Sequence, residues 1–434
     1  MTYVVGDTRE RIADIPDGTV SLVATSPPFV ALRSYLPADH PMKYAEIGSE
    51  PDPATFLDSL LALTAEWGRV LAPWGSIAVE LGDTFAGSGG AGGDYNPGGT
   101  RVGQSQFDGS SRRVKASDHK YAGEWDNPGF GDGFKGGNPG GAGWPRPKCL
   151  ALVPQAYALS LAYGRNILTG AESPAGQWLV RNVVVWHRPN PAVGALGDKY
   201  RPSTSYITVA TRSPKRWFDL TAVRHPSEHL SPGGVNRGNI TGTDERRREG
   251  GATSNMTGGN PAGAPPLDCW NDSHDTWTVT TQPSSLAHYA MWPPRLAERL
   301  ILSMCPAEVC QTCGEPRRRV ERSERVVTQP QRASNAARSN DPGFGNQGHT
   351  TYATVGWTDC GHDNYRPGVV LDPFAGTGTT LAVAECHGRD SIGIDLDERN
   401  RALLEPRLAE VRRTLFGVRP EAPGQLSLLA GEAS

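Results

Sequence analysis

One segment constrains this 434-residue chain more than any other: Val369-Val370-Leu371-Asp372-Pro373-Phe374-Ala375-Gly376-Thr377-Gly378-Thr379-Thr380. An apolar run ends in an acid, a glycine-rich turn follows, and a stretch of small and apolar residues from Thr379 to His387 closes at Gly388. That order predicts a strand, a tight turn and a helix. Gly376 and Gly378 let the backbone approach a bound group with no Cβ in the way. Asp395 ends the next predicted strand, Ser391 to Asp395, 19 residues after Gly376. An acid at about 20 residues from such a turn is placed to meet ribose hydroxyls. Two phosphate-binding patterns fail on detail. A P-loop requires Lys after its last glycine, where Thr379 stands, and a dinucleotide fingerprint requires a third small residue, where Leu381 stands. What remains is a nucleoside ligand without a pyrophosphate.

The rest of the ordered pattern alternates strand and helix. Val20 to Thr25 reads as a buried strand, and Phe56, Leu60, Leu63, Thr64, Trp67 and Leu71 recur at helical spacing. That helix is expected to stop at Pro73-Trp74-Gly75 and to feed a strand at Ile77-Ala78-Val79. Val153 to Tyr163 predicts a helix, Val183 to Trp186 and Tyr206 to Ala210 predict strands, and Leu286 to Met304 predicts a further helix. A long helix after Asp395 is expected to reach Phe416, with a weakly ordered tail beyond. Continuous apolar strands between helices imply an α/β fold with a mostly parallel sheet covered on both faces.

Composition enters through where it is concentrated. The chain has 52 Gly and 36 Pro, and 18 of the glycines fall in the 62 positions 86–147, with 9 more in 226–266. Neither stretch carries a helix or strand period, so both read as long insertions. The formal net charge of −3 excludes polyanion binding by global charge, so any nucleic-acid contact must be local. Among the cations, 36 are Arg and 7 are Lys, a bias that suits bidentate contact to phosphate or guanine as well as GC-rich coding. No run approaches the roughly 18 apolar residues of a membrane span. Seven cysteines and an N-terminus without a basic leader speak against a secreted disulfide framework, and the expectation is a cytoplasmic protein.

A second motif, Thr25-Ser26-Pro27-Pro28-Phe29, follows the strand at Val20. Consecutive prolines fix φ and hold the residue before them extended, so the Ser26 hydroxyl and the nearby carbonyls project rigidly. Phe29 supplies a planar face for stacking on a base. Such a set accepts hydrogen bonds from an exocyclic amino group. With the glycine-rich turn, it resembles the S-adenosylmethionine-dependent DNA amino-methyltransferases that modify cytosine N4 or adenine N6. In that family an (Asp/Asn/Ser)-Pro-Pro-aromatic motif is catalytic and Asp-Pro-Phe-x-Gly-x-Gly-Thr-Thr binds the cofactor. Catalytic motif first and cofactor motif last is similar to the permuted β group. Gly6-Asp7, the segment Arg69 to Ser76, Val185 to Asn190 and His288 to Leu296 support the likeness.

The resemblance implies a Rossmann-like methyltransferase fold and assigns roles residue by residue. Ser26 and the Pro27 carbonyl orient the target amino group, Pro28 shapes the turn, and Phe29 stacks on the base. Asp372, Pro373, Phe374, Ala375, Gly376, Gly378, Thr379 and Thr380 surround the methionine part of S-adenosylmethionine. Asp395 binds the ribose, and Asp7 lies beside the cofactor. The partner is DNA with its target base flipped out. Ser at the first motif position favours cytosine N4, with adenine N6 as the alternative. RNA or protein as substrate, and a zinc-dependent DNA-binding protein with a vestigial cofactor pocket, are the competing readings; the two intact motifs weigh against the last. The source expected from the resemblance is a bacterium or phage.

Cys310-Gln311-Thr312-Cys313-Gly314 is a Cys-x-x-Cys knuckle, and Cys360-Gly361-His362 follows 47 residues after Cys313. Two close pairs of soft ligands suit tetrahedral zinc, so Cys310, Cys313, Cys360 and His362 are the expected metal set, with Cys305 as an alternative ligand because Cys-x-His is tighter than the usual spacing. Unligated thiols and a redox Cys-x-x-Cys are the alternatives. Arginines at 317, 318, 319, 322, 325, 332 and 338 lie between the pairs, either as a solvated face or as DNA-backbone contacts. The expected organisation is therefore a catalytic half at 1–304 with insertions 86–147 and 222–275, the latter for target recognition. A zinc-ribbon-like insertion at 305–366, the cofactor half at 367–416 and a tail at 417–434 complete it.

Overall fold

The computed structural model describes residues 1–31, 35–36, 39–86, 143–188, 200–224, 268–270, 292–329 and 347–417. Most of the two glycine-rich insertions, the tail from 418 and the first part of the helix expected from Leu286 lie outside the described residues. The chain divides into two units: residues 1–217, 268–307 and 367–434 form one, and 218–267 with 308–366 form the other.

The first unit is built on one sheet. Its strands are β1 (Thr2–Val5), β2 (Val20–Thr25), β3 (Leu71–Leu81), β4 (Leu179–His187), β5 (Thr204–Thr211), β6 (Cys269–Trp270), β11 (Val369–Asp372) and β12 (Asp390–Asp395). Their order is β1-β12-β11-β2-β3-β5-β4-β6. Every pairing from β1 to β3 is parallel, and β5 enters antiparallel to both β3 and β4. The helices are α1 (Thr8–Arg11), α2 (Pro53–Val70), α3 (Val153–Tyr163), α4 (Pro294–Met304), α5 (Thr379–Cys386) and α6 (Leu404–Phe416).

Alternation along the strands explains the two cores. On β2, Val23 joins Phe56, Leu57, Leu60 and Trp67 of α2 and Tyr157 and Leu161 of α3 in one buried cluster. Leu22 and Ala24 point the other way, into a second cluster with Leu296 and Leu300 of α4, Ala382 and Val383 of α5, and Leu408 and Val411 of α6. A strand buried on both faces reads as a continuous apolar run, which is what Val20 to Thr25 is.

Three boundaries differ from expectation, each for a local reason. Helix α2 begins where Asp52 caps it, its carboxylate accepting the Thr55 N–H at 2.9 Å, but it ends at Val70. Strand β3 takes over at Leu71, before Pro73, and tolerates that proline because the ladder with β2 skips there, from Val20↔Leu71 to Leu22↔Ser76. Helix α4 starts only at Pro294; the ring of Pro294 excludes the helical conformation at Pro293, which is extended at ψ 140°. After Asp395 the single long helix is instead a 3₁₀ segment, Glu398–Leu403, followed by α6.

The second unit holds the remaining strands. β7 (Val309–Cys310) pairs antiparallel with β10 (Tyr365–Arg366), and β8 (Arg319–Gln329) pairs antiparallel with β9 (Gln347–Trp357).

Candidate active site and metal centre

Strands β11 and β2 are parallel neighbours, paired Val370↔Leu22 and Leu371↔Val23, so their carboxyl ends emerge side by side. From β11 the chain turns through α5 to β12 on one side, and from β2 it runs through α2 to β3 on the other. Connections leaving in opposite directions open a crevice at that edge, the topological switch point where such sheets bind ligands. Asp372-Pro373 stands at one lip and Ser26-Pro27 at the other.

A hydroxyl joins the two motifs. Thr25 Oγ1 donates to Asp372 Oδ1 at 2.7 Å, and Thr380 Oγ1 donates to Asp372 Oδ2 at 2.6 Å. The Phe374 N–H adds a third bond to Oδ1 at 3.1 Å, and Trp292 Nε1 donates to Thr380 Oγ1 at 3.2 Å. Burial pushes the Asp372 carboxyl up to about 6 against these donors. Both of its oxygens serve the scaffold, fixing the start of the cofactor turn relative to the catalytic turn.

The turn itself is formed as its glycines require. Gly376 and Gly378 have φ +50° and +80°, and a Cβ on Gly378 would stand 2.4 Å from Leu404 Cδ2. The Tyr3 hydroxyl donates to the Gly376 carbonyl at 2.8 Å. Asp395 Oδ2 accepts the Gly376 N–H at 2.7 Å, while Oδ1 accepts the Asp397 N–H at 2.9 Å and Asn400 Nδ2 at 3.0 Å. Burial raises the Asp395 carboxyl above its ordinary range. Arg407 Nε donates to Thr379 Oγ1 at 2.9 Å, and the Ala375 N–H reaches the Ile394 carbonyl at 2.9 Å. The Thr377 hydroxyl is buried with no partner among the described residues, an open polar group inside the turn. An acid at a strand end, a cradle without Cβ atoms and an unspent hydroxyl fit the nucleoside and amino-acid parts of S-adenosylmethionine.

On the other lip, Ser26 Oγ donates to Glu80 Oε2 at 2.5 Å. Glu80 lies near the end of β3 and is 2% exposed; burial raises its carboxyl, offset in part by the Ser26 hydroxyl and the Arg188 charge. Pro27 is buried, and Pro28 and Phe29 are half-buried. Two glycines make room for them. A Cβ on Gly82 would lie 2.5 Å from Phe29 Cε2, and one on Gly48, at φ +93°, would lie 3.1 Å from Pro28 Cβ. Asp7 is brought near the cofactor edge, since β1 pairs with β12 at Val5↔Asp395. Its carboxylate, however, caps α1 through the Arg9 N–H at 2.9 Å and pairs with the Arg9 guanidinium at 2.7 Å.

The sequence shows Thr25 in its motif but not its bond to Asp372, and Glu80, Gly82, Tyr3 and Asn400 were missed. Glu80 had a signal, a lone acid inside the apolar run Ile77 to Leu81. The others needed strand register to be seen.

In the second unit, Cys310 Sγ, Cys313 Sγ, Cys360 Sγ and a His362 ring nitrogen all lie within 4.8 Å of one another. Cys310 Sγ and His362 Nδ1 are 3.5 Å apart. The knuckle turns through Gly314 at φ +74°, whose N–H reaches the Cys310 carbonyl at 3.0 Å. Zinc bonds of about 2.3 Å in a tetrahedron separate the ligand atoms by roughly 3.8 Å, so the set fits that ion. Cys305 is buried at the end of α4 in the first unit.

A Rossmann-like sheet with a glycine turn and strand-end acid on one side of its switch point, and Ser-Pro-Pro-Phe on the other, defines the class of S-adenosylmethionine-dependent amino-methyltransferases. The chain belongs to the DNA methylase family that modifies N6 or N4 amino groups, whose model matches residues 20–308 and 365–405. The interval 309–364, which carries the cysteine–histidine cluster, falls outside that match. The chain is 26% identical over 248 residues to the Type II methyltransferase M.SfiI of Streptomyces fimbriatus, a match that takes in 56% of this chain and 44% of that one. It is 24% identical over 302 residues to M.Cfr9I of Citrobacter freundii, covering 70% and 72% of the two chains. To M.XycI of Xanthomonas campestris pv. cyanopsidis it is 22% identical over 408 residues, covering 94% and 87%. The chain thus spans less than half of the Streptomyces protein and most of the other two. No helix among the described residues is long and apolar enough to cross a membrane.

Proposed function

We propose that the protein methylates the N4 amino group of a cytosine at a defined sequence in duplex DNA. The observation that carries this reading is the Ser26–Glu80 pair. Because Ser26 spends its proton on Glu80 at 2.5 Å, its oxygen lone pairs are left to accept from an amino N–H presented to the crevice. In its carboxylate form Glu80 offsets positive charge building on that nitrogen as it attacks. Phe29 offers a face to the flipped base, and Gly82 sets how deep its ring sits. The turn from Asp372 to Thr380, with Asp395, holds S-adenosylmethionine, which supplies the methyl group on its sulfonium. Acceleration then comes chiefly from holding nitrogen and methyl in line. Ser rather than Asp or Asn at position 26 supports cytosine over adenine. The same reading gives Cys310, Cys313, Cys360 and His362 a structural zinc.

The test is expression in a host without DNA methylation, followed by sequencing that distinguishes N4-methylcytosine from N6-methyladenine. The expected result is N4-methylcytosine at one consensus motif, lost in Ser26→Ala. N6-methyladenine would overturn the choice of base, and genomic DNA without any mark would overturn the enzyme.

A further inference from the structure

The second unit has a construction that the family match does not include. Its four ligands come as two pairs, Cys310 and Cys313 just after β7 begins, and Cys360 and His362 just before β10. An ion bound by all four closes both ends of the excursion that carries β8 and β9. Those strands form a ribbon of two, with no third strand beside it among the described residues. Residues 320–324 and 352–355 are exposed on both faces. A lone two-stranded ribbon is marginal in water, so it needs an anchor at its base.

A second anchor comes from far away in the sequence. Asp219, 7% exposed, takes Arg319 in a forked pair, with Nη2 to Oδ2 at 2.7 Å and Nε to Oδ1 at 3.0 Å. The same guanidinium lies 4.7 Å from the centre of the Trp357 ring and donates to Thr354 Oγ1 at 2.9 Å. Thr221 Oγ1 donates to Glu321 Oε1 at 2.5 Å. Asp219 and Thr221 belong to the stem of the 218–267 excursion, in which the recognition insertion is expected. That stem and the base of the ribbon are therefore one piece.

We propose that the ion-closed knuckle, the β8–β9 ribbon and the 218–224 stem form a single DNA-contacting module, with zinc as its staple and the ribbon as the element that enters a groove. The inference rests on the reading that DNA is the substrate. Three observations support it. A two-stranded ribbon fits the major groove of B-form DNA. The stretch 317–325 carries five arginines against two glutamates; Arg317 pairs with Glu308 and Arg319 with Asp219, so a small positive excess is what the start of the ribbon brings to phosphate. The forked Asp219–Arg319 pair, held against Trp357, gives that base a fixed geometry.

Full-length protein serves for the test, with zinc measured per chain, S-adenosylmethionine binding by calorimetry, and anisotropy on two duplexes, one carrying the mapped methylation site and one scrambled. Cys313→Ser is expected to lose the metal, to bind S-adenosylmethionine within about twofold of the parent, and to lose about tenfold or more in affinity for the site duplex. Arg322→Ala/Arg325→Ala is expected to keep its zinc, to weaken binding to both duplexes, and to flatten the salt dependence by about two phosphate contacts. Parent protein without zinc, or metal-free Cys313→Ser that binds the site duplex like the parent, overturns the module while leaving methylation intact. A parent that binds S-adenosylmethionine but neither duplex overturns the methyltransferase reading and the module together.

Discussion

Replacing Thr25 with Val removes one hydroxyl and keeps the shape of the side chain, and the structure sets both its cost and its pH dependence. The lost bond is 2.7 Å long and ends on Asp372 Oδ1, a fully enclosed carboxyl held up at about 6 by burial. Above that value the group is ionised, and a hydrogen bond to a charged partner contributes about 1.5–3 kcal/mol. Below it the partner is neutral and the contribution falls to about 1 kcal/mol. The sign follows from linkage. Asp372 has a folded value above its unfolded one of 3.8, so it favours the folded state fully at low pH, and that advantage is lost as pH rises from about 4 to about 6. A rise from 3.8 to about 6 corresponds to roughly 3 kcal/mol at neutral pH. Deleting a donor to the carboxylate raises the folded value further and extends the loss to higher pH. The Thr25→Val deficit is therefore about 1 kcal/mol at pH 5 and about 2 kcal/mol or more at pH 8. Urea denaturation of parent and variant at both pH values measures it, with Thr380→Val as a second member of the series. A deficit that does not grow between pH 5 and pH 8 refutes the account of Asp372 as the ionised link between the two motifs.

Two further predictions concern the catalytic lip. In Gly82→Ala the new methyl would lie 2.5 Å from Phe29 Cε2, so the ring must shift; turnover is expected to fall by about tenfold or more with S-adenosylmethionine affinity unchanged, and calorimetry beside steady-state kinetics separates the two. A variant with parental turnover contradicts the seating of Phe29. Burial raises the Glu80 carboxyl, so the parent's rate should fall on the acid side at a pH above the ordinary glutamate range, whereas Glu80→Gln should be about a hundredfold slower and lack that limb. An identical pH–rate profile in the two proteins removes Glu80 from the mechanism.

Much of the fold and of the site is legible in the sequence, because the decisive signals are local. The αL glycines at 376 and 378, the helix starting at Thr379 and the strand ending in Asp395 all follow from runs of fewer than ten residues. Helix Val153–Tyr163 has the bounds its sequence predicts. What escaped was set by register. Thr25 and Asp372 are 347 positions apart and meet because β2 lies beside β11; Ser26 and Glu80, 54 apart, meet because Thr25 pairs with Val79. Boundaries at Val70 and Pro294 turned on a bulge and on a proline's effect on its neighbour, both weaker cues than periodicity. The Asp219–Arg319 pair has no sequence signature, which is why the sequence reads as two unrelated insertions, 222–275 and 305–366, where the structure joins 218–267 and 308–366 in one unit.

The strand order also dictates when the sheet can close. β1 precedes the other described strands and, among the described residues, pairs with β12, while β11, the strand between β12 and β2, begins 344 residues after β2 ends. At about 5–20 residues per second, β2 spends roughly 20–70 s as a bare apolar edge. An exposed edge of that kind is a template for pairing with other chains. Synthesis that stalls before Val369 thus leaves β2 unpaired on the side that β11 covers, and the catalytic half is fully buried only once the cofactor half has been made.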